Sequence, residues 1–395
     1  MTPSLPFLSV IVPAHNAGSV LARCLEAIME SDLPRGCREV IVVDDGSTDR
    51  TATIAARYAD AVVRLTGSPR GPAYARNRGF EAARGECLVF IDADICVHPK
   101  TLRRMAHIFA TESDVAAAFG AYDRSPAGGS IVSDYRNLLH HYVHTRCAGE
   151  AETFWAGCGA VRRAAFVDAG MFDEWHYASP QIEDIELGHR LHAKGHRIVL
   201  RPELQGTHLK VWTLRQIITG DLRNRGVPWM RLLAQHRAVK SSRTLNLRTR
   251  ERVSTALVGV ALVMLALAIV APQWLWLALA GAALVPVVGI NAPLYLFFAR
   301  ERGAWFALCA IPLHFLYYLV SGVSVVVGYL LHETMGEPNP DPTVMAYSEL
   351  GHRTWPPVPS RGRADAWRRD PGTPGTPGAP GTPGTSGAPG ARAKQ

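Results

Sequence analysis

Two carboxylates, Asp92 and Asp94, end the apolar run CLVFIDAD at residues 87–94, with Ala93 between them. Side chains two residues apart can reach the same side of the chain where a buried strand gives way to a loop. Carboxylate oxygens are ligands that Mg²⁺ and Mn²⁺ prefer, and such a cation can in turn hold a diphosphate. The alternative is a pair of loop-capping carboxylates, because a D-x-D pattern often occurs by chance.

A second acidic pair, Asp44 and Asp45, lies in the segment VVDDGSTD at residues 42–49. Carboxylates that end a strand can accept hydrogen bonds from a nucleobase N–H or a ribose hydroxyl. Gly46 allows a tight turn, and Ser47 can cap the helix that follows. Capping by Asp45 and Ser47 is again the alternative, but the occurrence of both acidic motifs at strand ends favours a ligand site.

Short apolar strands alternate with helical segments in the first part of the chain and must position these carboxylates. The predicted strands are 8–14, 39–45, 61–65 and 87–94, and the predicted helices between them are 19–30, 49–58 and 72–84. The alternation predicts a parallel, doubly wound α/β sheet, in which ligands bind beyond the carboxyl ends of the strands. Those ends carry both acidic pairs and the segment Pro13-Ala14-His15-Asn16. Further strands are predicted at 115–123 and 154–163, and further helices at 130–146 and 181–195.

Three apolar segments, 254–271, 274–298 and 304–331, are long enough to cross a membrane. Basic residues before the first segment, and Arg300 and Arg302 before the third, are typical of cytoplasmic loops. The first basic group is Arg237, Lys240, Arg243, Arg248, Arg250 and Arg252. The pattern predicts a multi-pass protein of the inner or plasma membrane with a cytoplasmic N-terminal domain. It accounts for the net charge of +8 without a nucleic-acid partner, since no aromatic residues are interleaved with the basic ones.

Two further regions, one before and one after the apolar segments, have distinctive compositions. Residues 213–236 mix apolar and basic side chains and contain Gly226 and Pro228, which predicts two short helices on the membrane surface. A helix packed in a core is the alternative. Glycine recurs at every third position from Gly372 to Gly390, which predicts a disordered, polyproline-like tail rather than collagen. The predicted regions are therefore 1–212, 213–252, 253–332 and 333–395.

The segments VIVPAHN, VVDDGSTDRT, ARNRGFEAARGE and FIDAD together resemble the family 2 glycosyltransferases, which have the GT-A fold. The resemblance implies that residues 1–212 form a Rossmann-like catalytic domain with a mostly parallel sheet that binds a nucleotide sugar. Asp45, helped by Asp44, would contact the base, and His15 stands where the family usually has tyrosine. Asp94, with Asp92, would coordinate the divalent cation, Mn²⁺ or Mg²⁺, that bridges the diphosphate. The residues that the resemblance assigns to nucleotide-sugar binding are Pro13, Ala14, His15, Asn16, Asp44, Asp45, Arg76, Asn77, Asp92, Ala93 and Asp94.

The pair Glu183-Asp184 resembles the catalytic E-D motif of that family, in which the aspartate is the general base. An inverting transfer needs a carboxylate opposite the leaving group, to take the proton of the attacking hydroxyl. At the start of a helix, the helix dipole would hold Asp184 ionised, although acidic decoration of a helix N-terminus is the alternative. His208, in THLKVW, resembles a histidine that some relatives use as a further metal ligand, and a structural histidine is the alternative.

The segment FWAGCGAVRRAAF followed by MFDE resembles the acceptor-side loop of the family, with Met171 in place of the more common glycine. The segment RNRGVPW only loosely resembles the Q-x-x-R-W element of processive synthases. The residues predicted on the acceptor side are Trp155, Gly157, Trp212, Arg225 and Trp229.

The predicted enzyme is a metal-dependent, inverting glycosyltransferase that moves a sugar from a nucleotide-diphosphate sugar to a hydroxyl of a lipid, lipid-linked or cell-envelope acceptor. The resemblance favours a UDP-sugar, with GDP- and dTDP-sugars as alternatives. Three other functions remain open. A polyprenyl-phosphate sugar synthase would use a phosphate nucleophile that needs no base, and a processive polysaccharide synthase usually has more membrane spans. A non-catalytic nucleotide-binding membrane scaffold would need none of the carboxylates.

Overall fold

The computed structural model describes residues 4–235, 248–271 and 273–336. Arg237, Lys240 and Arg243 of the predicted basic group lie outside the described residues, as does the glycine-repeat tail.

A mixed sheet of nine strands forms the centre of the N-terminal part of the described chain. The strands are β1 (Leu8–Ala14), β2 (Arg38–Asp45), β3 (Ala61–Leu65), β4 (Cys87–Ile91), β5 (Ile95–Val97), β6 (Val115–Tyr122), β7 (Gly149–Ala151), β8 (Cys158–Arg162) and β9 (Arg197–His208). Their order is β3-β2-β1-β4-β8-β6-β9-β5, and β7 pairs with β9. Strands β1 to β4 pair in parallel, which confirms the predicted α/β arrangement. Strand β8 then runs antiparallel to both β4 and β6.

Helices cover both faces of this sheet. The helices are α1 (Leu21–Met29), α2 (Thr51–Tyr58), α3 (Pro72–Ala82), α4 (Thr101–Thr111), α5 (Ile131–Arg146), α6 (Arg163–Asp168) and α7 (Glu183–Ala193). Neighbouring residues of β1 enter different cores, since Val10 and Val12 pack on one side of the sheet and Ile11 on the other. A strand buried on both faces reads as a continuous apolar run, which is why β1 and β2 could be predicted from the sequence.

Two differences from the prediction affect the site. The predicted strand 87–94 ends at Ile91, because Asp92 begins a turn in which the Ile95 amide donates to the Asp92 carbonyl (3.0 Å). Strand β9 has no counterpart among the predicted elements, because Pro202 and the polar residues around it obscure the strand pattern. It nevertheless lies beside β6 and ends at His208.

The C-terminal helices are α10 (Thr249–Val270), α11 (Trp274–Ile290), α12 (Ala292–Arg302) and α13 (Ala304–Met335). Among the described residues, α10 and α13 are each long and apolar enough to cross a membrane. Helices α11 and α12 meet at a bend of 64° and give a third crossing if the pair is counted as one broken span.

Asn291 lies at this bend and is fully buried. Its side-chain amide donates to Ser254 Oγ (3.1 Å) and to the Val287 carbonyl (2.9 Å), and its Oδ1 accepts from the Tyr318 hydroxyl (3.1 Å). Polar groups within an apolar helix bundle are stable only when they are paired in this way. The bend is therefore held by bonds to both α10 and α13.

Residues 214–235 form one helical run, not the two separate helices that the sequence predicts. The run comprises α8 (Leu214–Thr219), a π-helical segment (Gly220–Gly226) and α9 (Val227–Gln235). The altered hydrogen-bond spacing of the π-helical segment accommodates Pro228, which has no backbone N–H. Arg136 of α5 holds the run in place through two bonds to the Asp221 carboxylate (2.7 and 2.9 Å).

An apolar core also joins α5 to the C-terminal helices. Its buried members are Tyr135, Leu138, Leu139 and Tyr142 of α5, Leu294, Tyr295 and Phe298 of α12, and Phe306, Ala307 and Ala310 of α13. Helix α5 therefore contacts the sheet on one side and the apolar helices on another.

Candidate active site

The end of β1 presents two exposed residues, His15 and Asn16, beside the turn that follows β2. His15 Nδ1 lies 2.7 Å from the Asp45 carbonyl oxygen, and the Asn16 amide donates to Ser47 Oγ (2.9 Å). The preceding residues Pro13 and Ala14 are still paired with β2 in the sheet. These bonds hold the loop after β1 against the turn after β2, while the side chains of His15 and Asn16 stay accessible to a ligand.

Asp44 and Asp45 point into the protein, with only 5% and 3% of each residue exposed. Asp45 accepts hydrogen bonds from the backbone amides of Arg70 (3.0 Å) and Gly71 (2.8 Å), and Asp44 accepts from the amide three residues later (3.1 Å). Gly71 has a left-handed φ of 88°, and a Cβ there would lie 2.7 Å from the Ala178 carbonyl oxygen. Asp45 thus fixes the loop that leads into α3, which packs directly against the segment before α7, whereas Asp44 fixes the turn after β2.

Arg76 of α3 joins the end of β4 to the start of α7. Its guanidinium contacts Asp92 Oδ1 (2.8 Å) and Glu183 Oε1 (2.9 Å), and only 3% of the residue is exposed. Burial opposes the charge, but the carboxylates of Asp92, Glu183 and Asp184 outweigh it and raise the pKa of Arg76 above its ordinary value. Acidic side chains from two distant stretches of chain therefore meet around one buried cation.

Asp184 follows Glu183 in the first turn of α7 and is partly buried. Its Oδ2 accepts a hydrogen bond from the Ala156 amide (3.1 Å). Burial, followed by the charge of Glu183, raises the pKa of Asp184 to about 7, and Arg76 offsets only part of this rise. A pKa of about 7 leaves the Asp184 carboxyl group partly protonated at neutral pH, so burial acts against the ionisation that the helix dipole was expected to favour.

Asp94, in the turn between β4 and β5, faces His208 at the end of β9, with Asp94 Oδ2 3.4 Å from His208 Nε2. Burial alone would raise the pKa of Asp94, but the hydrogen bond and charge of His208 outweigh it and lower that pKa. The other imidazole nitrogen, Nδ1, lies 2.7 Å from Asn137 Oδ1 on α5. Because an amide oxygen only accepts, Nδ1 carries a proton in this pairing; Nε2 donates to Asp94 when the imidazole is charged and offers a lone pair when it is neutral.

This pair of residues fits a divalent cation. Two acceptors that face each other need a positive charge between them, which a metal ion or a proton on the imidazole can supply. Among the described residues, no group of three or more His, Cys, Asp or Glu side chains forms a complete metal cluster. Asp94 and His208 would thus contribute two ligands, in the manner of sites where substrate phosphates complete the coordination of the ion. Asp92, which was also predicted as a ligand, is paired with Arg76.

Asn77 is also buried, but its amide bonds to protein groups. It donates to the Phe172 carbonyl (2.9 Å) and to Glu174 Oε2 (2.6 Å), and its Oδ1 accepts from the Phe172 amide (3.2 Å). Asn77 therefore positions the loop after α6. In the same loop Met171 adopts a left-handed φ of 61°, which explains why glycine is the more common residue there.

Four of the five predicted acceptor-side residues lie around His208. The Trp155 ring contacts the Tyr122 ring, which stacks on His208, and a Cβ at Gly157 would collide with the Trp155 indole (2.6 Å). The Trp212 ring is 6.2 Å from the His208 ring and 6.0 Å from the Arg225 guanidinium. The fifth residue, Trp229, lies on α9, which packs against α13.

Three residues that hold this arrangement together were not predicted from the sequence. Asn137 orients His208, Tyr122 stacks on it with ring centroids 4.2 Å apart, and Arg136 anchors the helical run that carries Arg225. Asn137 and Arg136 lie within the predicted helix 130–146. The role of Asn137 becomes apparent only once β9 is recognised, because β9 brings His208 to α5.

Comparisons with known proteins agree with this geometry. The model of glycosyl transferase family 2 matches residues 9–170. Glycosyltransferase AglE of Haloferax volcanii is 34% identical over 145 residues, which are 35% of this chain and 47% of that protein. Poly(ribitol-phosphate) beta-N-acetylglucosaminyltransferase TarS of Staphylococcus aureus is 35% identical over 102 residues, which are 25% of this chain and 18% of that protein. The chain thus spans less than half the length of these curated relatives.

Among solved structures, the mannosyltransferase PcManGT from Pyrobaculum calidifontis, in complex with GDP-Man and Mn²⁺, is similar in fold. It is 21% identical with a TM-score of 0.50, and the match covers 85% of this chain and 89% of that one. The sheet, the acidic motifs at its strand ends and the family match lead to one conclusion: residues 9–170 match glycosyl transferase family 2 within a domain of GT-A fold, and apolar helices follow that domain.

Proposed function

We propose that this domain transfers a sugar, with inversion, from a nucleotide-diphosphate sugar to a hydroxyl of an acceptor at a membrane. One observation carries the proposal: Arg76 brings the carboxylates at the end of β4 beside those at the start of α7. In this arrangement Asp92, two residues from the proposed cation ligand Asp94, would share one site with the proposed proton acceptor Asp184. A scaffold that only binds a nucleotide would need no half-ionised carboxylate there.

The donor side comprises the accessible pair His15 and Asn16 and the facing pair Asp94 and His208. His15 and Asn16 would bind the nucleoside, for which UDP is favoured. A divalent cation, Mn²⁺ or Mg²⁺, held by Asp94 and His208 would neutralise charge on the diphosphate. Asn137 keeps the imidazole of His208 in the tautomer that can bind it.

Asp184 acts as the general base in this proposal. Its carboxylate takes the proton of the acceptor hydroxyl while that oxygen forms a bond to the anomeric carbon. The bond from the same carbon to the diphosphate oxygen breaks, and the nucleoside diphosphate leaves with the electron pair. A pKa of about 7 suits this role, because a base works best when its pKa is near the operating pH.

The apolar helices support an acceptor that is a lipid or is linked to one, since they would keep the site at a bilayer surface. The relative named for poly(ribitol-phosphate) supports an acceptor of the cell envelope. Exposed apolar side chains near the site, such as Val211 and Leu214, are suited to contact with that surface. In this arrangement the catalytic domain lies on the cytoplasmic side, where the basic residues flank the apolar helices.

The test uses the full chain with UDP-, GDP- and dTDP-sugars and measures nucleotide release with and without Mn²⁺. Binding of the correct donor should raise the unfolding temperature, which identifies the nucleotide. The Asp184→Asn variant should lose transfer by about 10²- to 10⁴-fold while it still binds the donor. Asp168→Asn changes an exposed carboxyl group on α6 and serves as the control, with activity expected to match the wild type.

An active Asp184→Asn variant would contradict the role of Asp184. If that variant transferred sugar to a polyprenyl phosphate, the enzyme would be a polyprenyl-phosphate sugar synthase, because a phosphate nucleophile needs no base. Failure of every donor to be cleaved, with or without Mn²⁺, would leave the scaffold as the better hypothesis.

A further inference from the structure

A cavity of about 210 Å³ lies where the C-terminal end of α5 meets the beginnings of α10 and α12. Three arginines contribute to its walls, and two of them come from the residues just before and within the first turn of α10. The wall residues that matter for its chemistry are Tyr142, Arg146, Arg248, Arg250, Glu251 and Pro293.

The charges around the cavity do not balance. Glu251 is the only carboxylate among the wall residues that the structure describes, and its Oε1 pairs with Arg250 (2.7 Å) while its Oε2 accepts from the Tyr318 hydroxyl (2.7 Å). Arg146 packs its guanidinium over the Tyr142 ring, 5.1 Å from the ring centre, and Arg248 approaches the Arg146 carbonyl. Within the described ranges, neither Arg146 nor Arg248 pairs with a carboxylate. Two guanidinium groups are thus left to bind an anion.

The position of the cavity along α10 indicates which anion. Of the 22 residues of α10, the last 18 carry no charge, and at 1.5 Å per residue they are ~27 Å long, close to the ~30 Å thickness of the hydrocarbon core. Its apolar stretch begins at Val253, so Arg248 and Arg250 lie at the level of the lipid head groups when the helix crosses a membrane. The phosphate groups of phospholipids lie at that level, and guanidinium groups match phosphate oxygens in geometry.

The cavity is separate from the candidate active site. Arg146 and Asn137 both lie on α5, nine residues apart, which places them ~13 Å from each other along the helix axis. Asn137 contacts His208, whereas Arg146 faces the beginning of α10.

We propose that this cavity binds the phosphate head group of an anionic membrane lipid in the leaflet next to the catalytic domain. Basic pockets beside membrane helices bind anionic head groups for the same electrostatic reason. Arg146 and Arg248 contact the phosphate, and Glu251 holds Arg250 in place at the rim. The lipid would join α5 to α10. This inference depends on the membrane position of α10 and not on sugar transfer.

The test uses the full chain in a neutral detergent and measures binding of three probes by native mass spectrometry and thermal shift. The probes are short-chain phosphatidylglycerol, short-chain phosphatidylcholine and inorganic phosphate. Phosphatidylglycerol should bind best. Arg146→Gln and Arg248→Gln should each weaken its binding about fivefold, which corresponds to ~1 kcal/mol for one arginine near an anionic surface.

Arg252→Gln is the matched control, since it removes the same charge from an exposed position on α10 outside the cavity wall. It should bind phosphatidylglycerol as the wild type does. An equal loss in Arg252→Gln, or no loss in the Arg146 and Arg248 variants, would overturn the proposal. Equal binding of phosphatidylcholine would overturn the preference for anionic lipid, and equal binding of inorganic phosphate would identify a free anion as the ligand. The unfolding temperature of each variant without probe verifies that it is folded.

Discussion

Replacing Asp184 by Asn should make the protein more stable at alkaline pH while it abolishes sugar transfer. The pKa of Asp184 rises from an ordinary 3.8 to about 7 in the folded protein, chiefly because of burial. Between these two values the native protein keeps a proton that the unfolded chain has lost. The free energy of unfolding therefore falls as the pH rises through this window, and the full loss is present above about pH 7. The Asn side chain does not titrate, so the variant does not lose this unfolding free energy as the pH rises.

The size of the effect follows from the shift. One pKa unit corresponds to ~1.4 kcal/mol, so a fully buried group with this shift would lose ~2 kcal/mol between about pH 5.5 and about pH 8.5. Because Asp184 is only partly buried, we expect about half of that loss, or ~1 kcal/mol. The stability of the Asn variant relative to the wild type should rise by this amount between the two pH values.

Thermal or denaturant unfolding of the full chain at both pH values measures the difference. Asp49→Asn is the control, because hydrogen bonds from Thr51 lower the pKa of Asp49, and its contribution to stability is already complete at the lower pH. The difference between that variant and the wild type should not change with pH. A pH-independent difference for Asp184→Asn would refute the raised pKa, and with it the account of Asp184 as a base that is half ionised near neutrality.

Three further predictions concern the residues that hold the site together. Arg76→Gln leaves two carboxylates without their buried cation, so it should lower the free energy of unfolding by ~3 kcal/mol. It should also shift the acid limb of the pH–rate profile to higher pH, because Arg76 lowers the pKa of the proposed base, Asp184. Asn137→Ala should weaken Mn²⁺ binding about 10- to 100-fold, as measured by electron paramagnetic resonance titration, because it frees the imidazole that Asn137 orients. In unfolding measurements, Gly71→Ala should destabilise the protein more than Gly67→Ala does. Both glycines have a left-handed φ, but of the two only Gly71 lies where a Cβ would collide with a carbonyl oxygen.

The N-terminal half of the fold could be predicted because its signals are local. Strands β1 and β2 are continuous apolar runs, and the structure gives them the predicted bounds to within one residue. The GT-A fold and the family followed from motifs at the ends of these strands. Sequence patterns of this kind depend on neighbouring residues, and a parallel α/β sheet is built from such local units.

The second half of the sheet could be predicted only in part, since β6 and β8 fall within the predicted strands 115–123 and 154–163 but β9 has no predicted counterpart. Strand β9 contains Pro202, and its pairing with β6 is interrupted by a register shift near Phe119. Gly120 lies at that shift because a Cβ would collide with the Leu204 carbonyl, a contact between residues far apart in the chain. Such a contact leaves no periodic signal in either segment.

In the candidate site, too, the residue types could be predicted from the sequence, but the effects of distant contacts could not. The residue types at Asp94 and Asp184 indicated a metal ligand and a base, and those roles remain predictions, but their protonation depends on distant partners. His208 lowers the pKa of Asp94, whereas burial beside Glu183 raises that of Asp184. The sequence offered the helix dipole as a local influence on Asp184, whereas the burial that raises its pKa depends on contacts with distant parts of the chain.

Helix α5 connects the proposed cation site to the apolar helices. We therefore infer that the apolar helices do more than anchor the domain. Its middle carries Asn137, which orients His208, and its apolar face packs Leu138 and Tyr142 against α12 and α13. Movement of the apolar helices would therefore shift α5, and a shift of α5 would change the bond that fixes the His208 imidazole. Because that imidazole faces Asp94, the geometry of the proposed cation site depends on packing that lies outside the glycosyltransferase domain. A soluble domain cut off before α10 would expose the apolar face of α5 and lose this constraint. The position of the proposed metal ligands therefore depends on the helices that attach the domain to the membrane.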